Sequence, residues 1–139
     1  MKITYSYYVL DLVHRGHLLQ MKNAKAMGDI SIVGILTNKA TMEKKPKPIL
    51  SFDERMLIAQ AIRYNDVVIP QDTYSPIPNL KRIRPDIHFE SASHSEKDIK
   101  KVQQVLNEWK GRVITTPYYP SISSTNIKRK VIKCKKTHG

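Results

Sequence analysis

A chain of 139 residues, 40% of them hydrophobic, holds enough apolar material for one sizeable core and too little length for a second, which excludes wholesale disorder. No apolar run reaches bilayer length, no basic-then-apolar leader opens the chain, and a lone cysteine, Cys134, excludes an internal disulfide, so a cytoplasmic location is expected. The formal net charge of +12 points to anionic partners.

In chain order, residues 2–10 are rich in Ile, Tyr and Val and read as a first strand. Residues 17–27 place Leu18, Met21 and Ala24 on one helical face, with Gly28 as the stop. Ile30–Leu36 is a continuous apolar run, the pattern of a strand buried on both faces. A polar, lysine-rich loop covers residues 37–50. Ser51-Phe52-Asp53-Glu54 has capping-box spacing and predicts a helix to about Tyr64, its Leu57/Ala61 and Ile58/Ile62 pairs facing the core. Residues 66–69 form a short strand closed by Pro70. The stretch 76–85 encloses one or two helical turns, and 86–89 is another strand. Residues 95–109 carry Ile99, Val102, Leu106 and Trp109 on one stripe, the clearest helix. Gly111 ends it, 112–115 is a strand, and 123–132 predicts a last helix. Six Lys and Arg crowd into residues 128–136, a basic tail that suits either solvent or nucleic acid.

Strands alternating with helices imply right-handed crossovers and a parallel sheet covered on both faces. The expected fold is a Rossmann-like α/β domain over residues 1–139, three-layered, with a five-stranded, mainly parallel sheet. Ligands in such sheets bind beyond the carboxyl ends of the strands, where residues 11–17 fall. Amides and dipole at a helix start favour anions there, His14 and His17 sit three residues apart, and Gly16 allows close approach of a phosphate. If pyrophosphate is the leaving group, protonated or strongly donating histidines stabilise its developing charge. The same pair also fits a metal half-site, without other ligands to complete it, or an ordinary helix start. Neither G-x-G-x-x-G nor a P-loop is present. Ser123, Ser124 and Thr125 before the last helix suit either caps or triphosphate donors.

H-x-G-H after a first strand, followed by Ile122-Ser123-Ser124-Thr125 before a late helix, resembles the paired signature of the cytidylyltransferase-like nucleotidyltransferases. The resemblance extends through Leu36-Thr37-Asn38-Lys39-Ala40, Asp53-Glu54-Arg55 and residues 61–70, similar to glycerol-3-phosphate cytidylyltransferase. Pro85-Asp86-Ile87-His88 and Thr116-Pro117-Tyr118 are more similar to the cytidylyltransferases of phosphonate metabolism, including domains attached to phosphoenolpyruvate mutases. It implies CMP transfer from CTP, with Mg2+, to a phosphonate or phosphorylated small alcohol, with pyrophosphate released and no covalent enzyme intermediate. ATP with a phosphorylated cofactor precursor is the alternative within the fold, and a silent nucleotide- or nucleic-acid-binding homologue the alternative outside catalysis.

By the same resemblance, His14, His17 and Lys45 are catalytic. Lys45, or its neighbour Lys44, reaches over the phosphates from a mobile loop. Leu10, Asp11, Gly16, Lys44, Ser123, Ser124 and Thr125 bind the nucleotide, and Asp11 also positions acceptor or loop. Tyr8 and Arg55 stand at the acceptor, and Arg63 and Asp66 match a dimer-interface segment, which implies a homodimer. Departures from the pattern carry expectations too. Tyr7-Tyr8-Val9-Leu10 stands where a glycine-containing stretch is usual, so tyrosine is expected to crowd the α-phosphate. Phe89-Glu90-Ser91-Ala92 replaces the glycine, acidic and tryptophan residues that hold base and ribose. Tyr118 replaces an arginine of the glycerol-3-phosphate branch, and Ser121 a glycine.

Overall fold

The computed structural model describes residues 1–91, 94–116 and 124–138, without the side chains of 116, 124–126 and 135–138. The elements are β1 (Ile3–Tyr8), α1 (Arg15–Ala26), β2 (Ile30–Leu36), α2 (Asn38–Thr41), α3 (Phe52–Ala61), β3 (Val67–Gln71), α4 (Ile77–Ile83), β4 (Ile87–Ser91), α5 (Glu96–Leu106), a 3-10 turn (Asn107–Trp109), β5 (Arg112–Thr116) and α6 (Ser124–His138). The described strands form one sheet in the order β3-β2-β1-β4-β5, with every neighbouring pair parallel.

Alternation along the strands sends side chains to two cores. Tyr8, Leu10, Val33 and Ile35 meet Met21 of α1 and Ala59 of α3, with Phe52, Met56, Ile58 and Ile62 packed around them. On the opposite face Tyr5 meets Leu80 of α4 and Val102 and Leu106 of α5, with Ile32, Ile69 and Trp109 alongside. This is the expected three-layer α/β arrangement. Within it, Gly34 is required by a close approach: a Cβ there would lie 2.1 Å from the Tyr5 hydroxyl.

The chain builds β1, β2 and β3 outward in one direction, then crosses to β4 and β5 on the other side of β1. The topological switch therefore lies between β1 and β4. Pairing of these two strands extends only from Thr4↔Ile87 to Tyr5↔His88, whereas β1 pairs β2 as far as Tyr8↔Ile35 and β4 pairs β5 as far as Ser91↔Thr116. A crevice opens where the pairing ends, at the carboxyl ends that bind ligands in folds of this kind.

Several boundaries differ from expectation. Helix α1 begins at Arg15, two residues early, because His14 caps it. Helix α3 stops at Ala61, and Leu57 is 67% exposed with Ala61 also exposed, while Ile58 and Ile62 do pack inward. The buried stripe runs instead through Phe52, Arg55, Met56 and Ala59. Pro70 lies within β3, where an edge strand tolerates its missing N–H. The 37–50 loop contains the single turn α2, which Thr37 caps through a 3.1 Å bond from the Ala40 N–H.

Candidate active site

The turn after β1 brings the first site residues together. Leu10 adopts the left-handed conformation, φ 60°, in the stretch where a glycine was expected. Its side chain is buried in the core, so the turn survives at a backbone cost of about 1–2 kcal/mol, offset by apolar burial. Leu10 thus offers a ligand its backbone alone.

His14 and His17 cap α1 reciprocally. The Gly16 N–H donates to His14 Nδ1 at 3.1 Å, and the His14 N–H donates to His17 Nδ1 at 3.2 Å. Each Nδ1 is therefore an acceptor, which places the proton of each neutral ring on Nε2. Burial, with His14 and Lys45 nearby, depresses His17 to about 3, and burial lowers His14 as well. The rings lie 3.9 Å apart between centroids, and His17 meets the edge of Tyr8. The pair consists of neutral Nε2–H donors, the second of the two forms expected for these histidines. The Gly16 N–H is taken up by the cap.

Asp11 is buried and ties three segments. Its Oδ1 accepts the Leu50 N–H at 2.9 Å, its Oδ2 accepts the Ile49 N–H at 3.0 Å, and Lys128 of α6 pairs with Oδ2. Burial pushes this carboxyl up, but the two N–H donors and Lys128 outweigh it and hold it below the usual range. Lys45 stands on the same side: burial and the neighbouring Lys128 lower its ammonium pKa, and its charge bears on His17. Lys44 points elsewhere, over the Tyr74 ring at 5.1 Å. Of the two loop lysines, only Lys45 joins the histidines. The loop is anchored at Asp11 and again where Glu43 accepts the Tyr74 N–H at 2.9 Å.

Arg55 lies deeper than its expected place at an acceptor. Fully buried, it donates to the carbonyls of Val9 and Leu36 at 2.7 Å each, to Leu50 O at 3.3 Å and to Asn38 Oδ1 at 2.7 Å. It ties the carboxyl ends of β1 and β2 to the loop. Tyr8 is likewise a wall beneath His17 rather than an exposed acceptor contact, 8% exposed. Asp66 lies at the opposite, amino-terminal end of the strands, held by Lys25 at 2.6 Å and the Ser31 N–H at 2.8 Å, and Arg63 rests on the Tyr64 ring. Neither touches the histidine site. Ser123 and Tyr118 lie outside the described residues, as do the side chains of Ser124 and Thr125.

The crevice between β1 and β4 is lined by Tyr8, Gln20, Ser91 and His94 and closed by Tyr7 and Glu90. The Tyr7 hydroxyl donates to Glu90 Oε1 at 2.6 Å, His94 Nε2 stands 3.3 Å from the same oxygen, and His88 Nε2 lies 2.7 Å from Oε2. Tyr7 stacks on His88 with 3° between planes. Tyr7 thus points away from the histidines and binds Glu90, and Tyr8 is the tyrosine beside His17. Sequence reasoning missed this network and Lys128. The latter had a signal, since it lies one helical turn beyond the Ser124-Thr125 motif. Among the described residues no group of three His, Cys, Asp or Glu could hold a metal ion, and no helix is long and apolar enough to cross a membrane.

A parallel sheet split at its switch point, with a histidine-capped helix beyond the central strand, defines a nucleotide-binding α/β architecture. The family model described as cytidylyltransferase-like matches residues 9–130, and the chain belongs to that family. It is 27% identical over 132 residues to the bifunctional protein HldE of Methylobacillus flagellatus, covering 94% of this chain and 27% of that protein. It is 38% identical over 74 residues to glycerol-3-phosphate cytidylyltransferase of Bacillus subtilis, 53% of this chain and 57% of the relative. The chain therefore spans about a quarter of one relative and just over half of the other. In fold it matches the lipopolysaccharide core biosynthesis protein of Thermoplasma volcanium GSS1, with a TM-score of 0.73 at 19% identity over 86% of this chain and 97% of that one.

Proposed function

We propose that this protein transfers a nucleotide, CMP from CTP in the first instance, to a phosphate or phosphonate oxygen of a small alcohol-derived acceptor. The observation that carries the reading is the pair of fixed Nε2–H donors at the start of α1, with the Lys45 ammonium on the same side. An acceptor oxyanion attacks the α-phosphorus, the bond to the bridging oxygen breaks, and pyrophosphate leaves with both electrons. Charge develops on the leaving oxygens, where neutral donors and an ammonium held in place by the fold need little reorganisation. The triphosphate brings its own magnesium as part of the substrate. The family's description and the similarity to a glycerol-3-phosphate cytidylyltransferase support CTP as donor and a phosphorylated alcohol as acceptor.

Pyrophosphate release with each of the four nucleoside triphosphates, against a panel of phosphonates and phosphorylated alcohols, tests this directly. CTP is expected to give the fastest release. Turnover with ATP alone would move the donor, and folded protein silent with every pair would remove the reading. His17→Ala should lower kcat by roughly 10²–10³-fold, the usual loss on deleting one such donor. A folded variant turning over at the wild-type rate would exclude His17 from the chemistry.

A further inference from the structure

We propose that Glu43 and Lys44 are positioning residues, which clasp Tyr74 and thereby set the Lys45 ammonium beside the histidine pair before a nucleotide arrives. The proposal rests on the nucleotidyl-transfer reading above. Three observations carry it. First, the loop needs a restraint. Glu43 is the single acid among residues 37–50, which also carry Lys39, Lys44, Lys45 and Lys47. Burial, with Lys128 nearby, already disfavours the Lys45 ammonium. Repulsion among these cations pushes the loop away from the site. Its far end is held where Asp11 takes the Ile49 and Leu50 N–H groups. Next to Lys45 the restraint is Tyr74: Glu43 Oε2 accepts its N–H at 2.9 Å, and the Lys44 ammonium lies over its ring at 5.1 Å.

Second, the turn after α2 sends the two adjacent lysines apart. The Lys44 and Lys45 N–H groups both donate to the Thr41 carbonyl, at 3.2 and 2.9 Å. The chain therefore still coils as it leaves α2, and successive side chains diverge by about 100°. Lys44 goes to Tyr74, and Lys45 stays where its charge bears on His17. Third, Tyr74 is a fixed point. The buried Gln71 amide donates to the Thr73 and Tyr74 carbonyls at 3.0 and 3.2 Å, and its oxygen accepts the Tyr5 hydroxyl at 2.5 Å. A loop clasped to a residue held in this way takes its position from the sheet, as a site group needs when its place must be set in advance.

The test is steady-state pyrophosphate release by the full chain, with the nucleoside triphosphate and acceptor that wild type turns over fastest. Glu43→Ala should lower kcat roughly tenfold and leave KM for the triphosphate within about threefold, since a displaced ammonium is missed most where charge develops. Glu43→Gln keeps an acceptor for the Tyr74 N–H and should restore kcat to within about threefold of wild type. Tyr74→Phe, which keeps ring and N–H, should do as well, and Tyr74→Ala should not. Placing Glu43→Ala in a Lys45→Ala background separates positioning from general support: there its cost should fall below about twofold. An equal loss in both backgrounds marks a purely structural clasp and would overturn the proposal, as would wild-type kcat in Glu43→Ala. If Glu43→Ala does not fold, Lys44→Met removes the other half of the clasp and carries the same comparison. Wild-type protein that releases no pyrophosphate with any pair would remove the functional reading and this inference with it, whereas wild-type turnover untouched at positions 43 and 44 removes this inference alone.

Discussion

At His17 the capping geometry and the site chemistry are one feature. The Nδ1 that accepts the His14 N–H cannot take a proton without losing the cap, and burial disfavours the charged ring, so the folded protein holds this group near 3 instead of 6.5. Between those values the unfolded chain binds a proton that the folded protein does not. Stability should therefore be fully present above about pH 6.5 and fall as pH drops through the window, by a few kcal/mol at most. His14, also lowered, contributes with the same sign. Asp11, lowered from 3.8, acts only at still lower pH. Urea titrations between pH 4 and 7 should show this slope, and His17→Gln should flatten it, since Gln at this position retains a capping acceptor but does not titrate. An unchanged slope in that variant would place the linked proton elsewhere. The H-x-x-H spacing was legible in the sequence. The tautomer was not, because it depends on which backbone N–H each Nδ1 meets.

Arg55 shows how an element can be read correctly and its residue misread. The capping box at Ser51 located α3, and the Asp53-Glu54-Arg55 motif pointed to function, yet the helix turned this side chain inward with Phe52, Met56 and Ala59. Apolar periodicity favoured Leu57 because it cannot show that a guanidinium has four acceptors waiting, two at the ends of β1 and β2 and two in the segment that follows β2. The consequence separates the two roles. Arg55→Met should destabilise the protein by roughly 3 kcal/mol or more, since buried carbonyls lose their donors, and Arg55→Lys should recover less than half. Urea unfolding measures both. Wild-type stability with a raised KM for acceptor alone would restore the acceptor-contact reading. Helix α5, whose apolar stripe is cleanly segregated, needed no such correction, and Val102 and Leu106 are buried as expected.

Across the whole molecule, the alternation of apolar runs with helical periods was enough to give the layers and the parallel sheet. The line along which the sheet divides could not be read, since strand order depends on crossovers rather than on any residue. That division explains the least expected polar group. Beyond Tyr5↔His88, β1 and β4 no longer pair, and the Tyr7–Glu90 bond joins them through side chains. His88 Nδ1 lies 3.2 Å from the Tyr5 carbonyl, which can only accept, and its Nε2 lies 2.7 Å from Glu90 Oε2. Both residues are buried, and each leaves the other unsatisfied if removed. His88→Leu and Glu90→Leu should each cost roughly 3–5 kcal/mol by urea unfolding. The double variant should cost less than the sum by about 1–3 kcal/mol, because neither member of the pair then leaves the other without its partner. Strict additivity would mean that the two side chains act separately. Coupling would identify this pair, with Tyr7, as what joins the halves of the sheet beside the candidate active site.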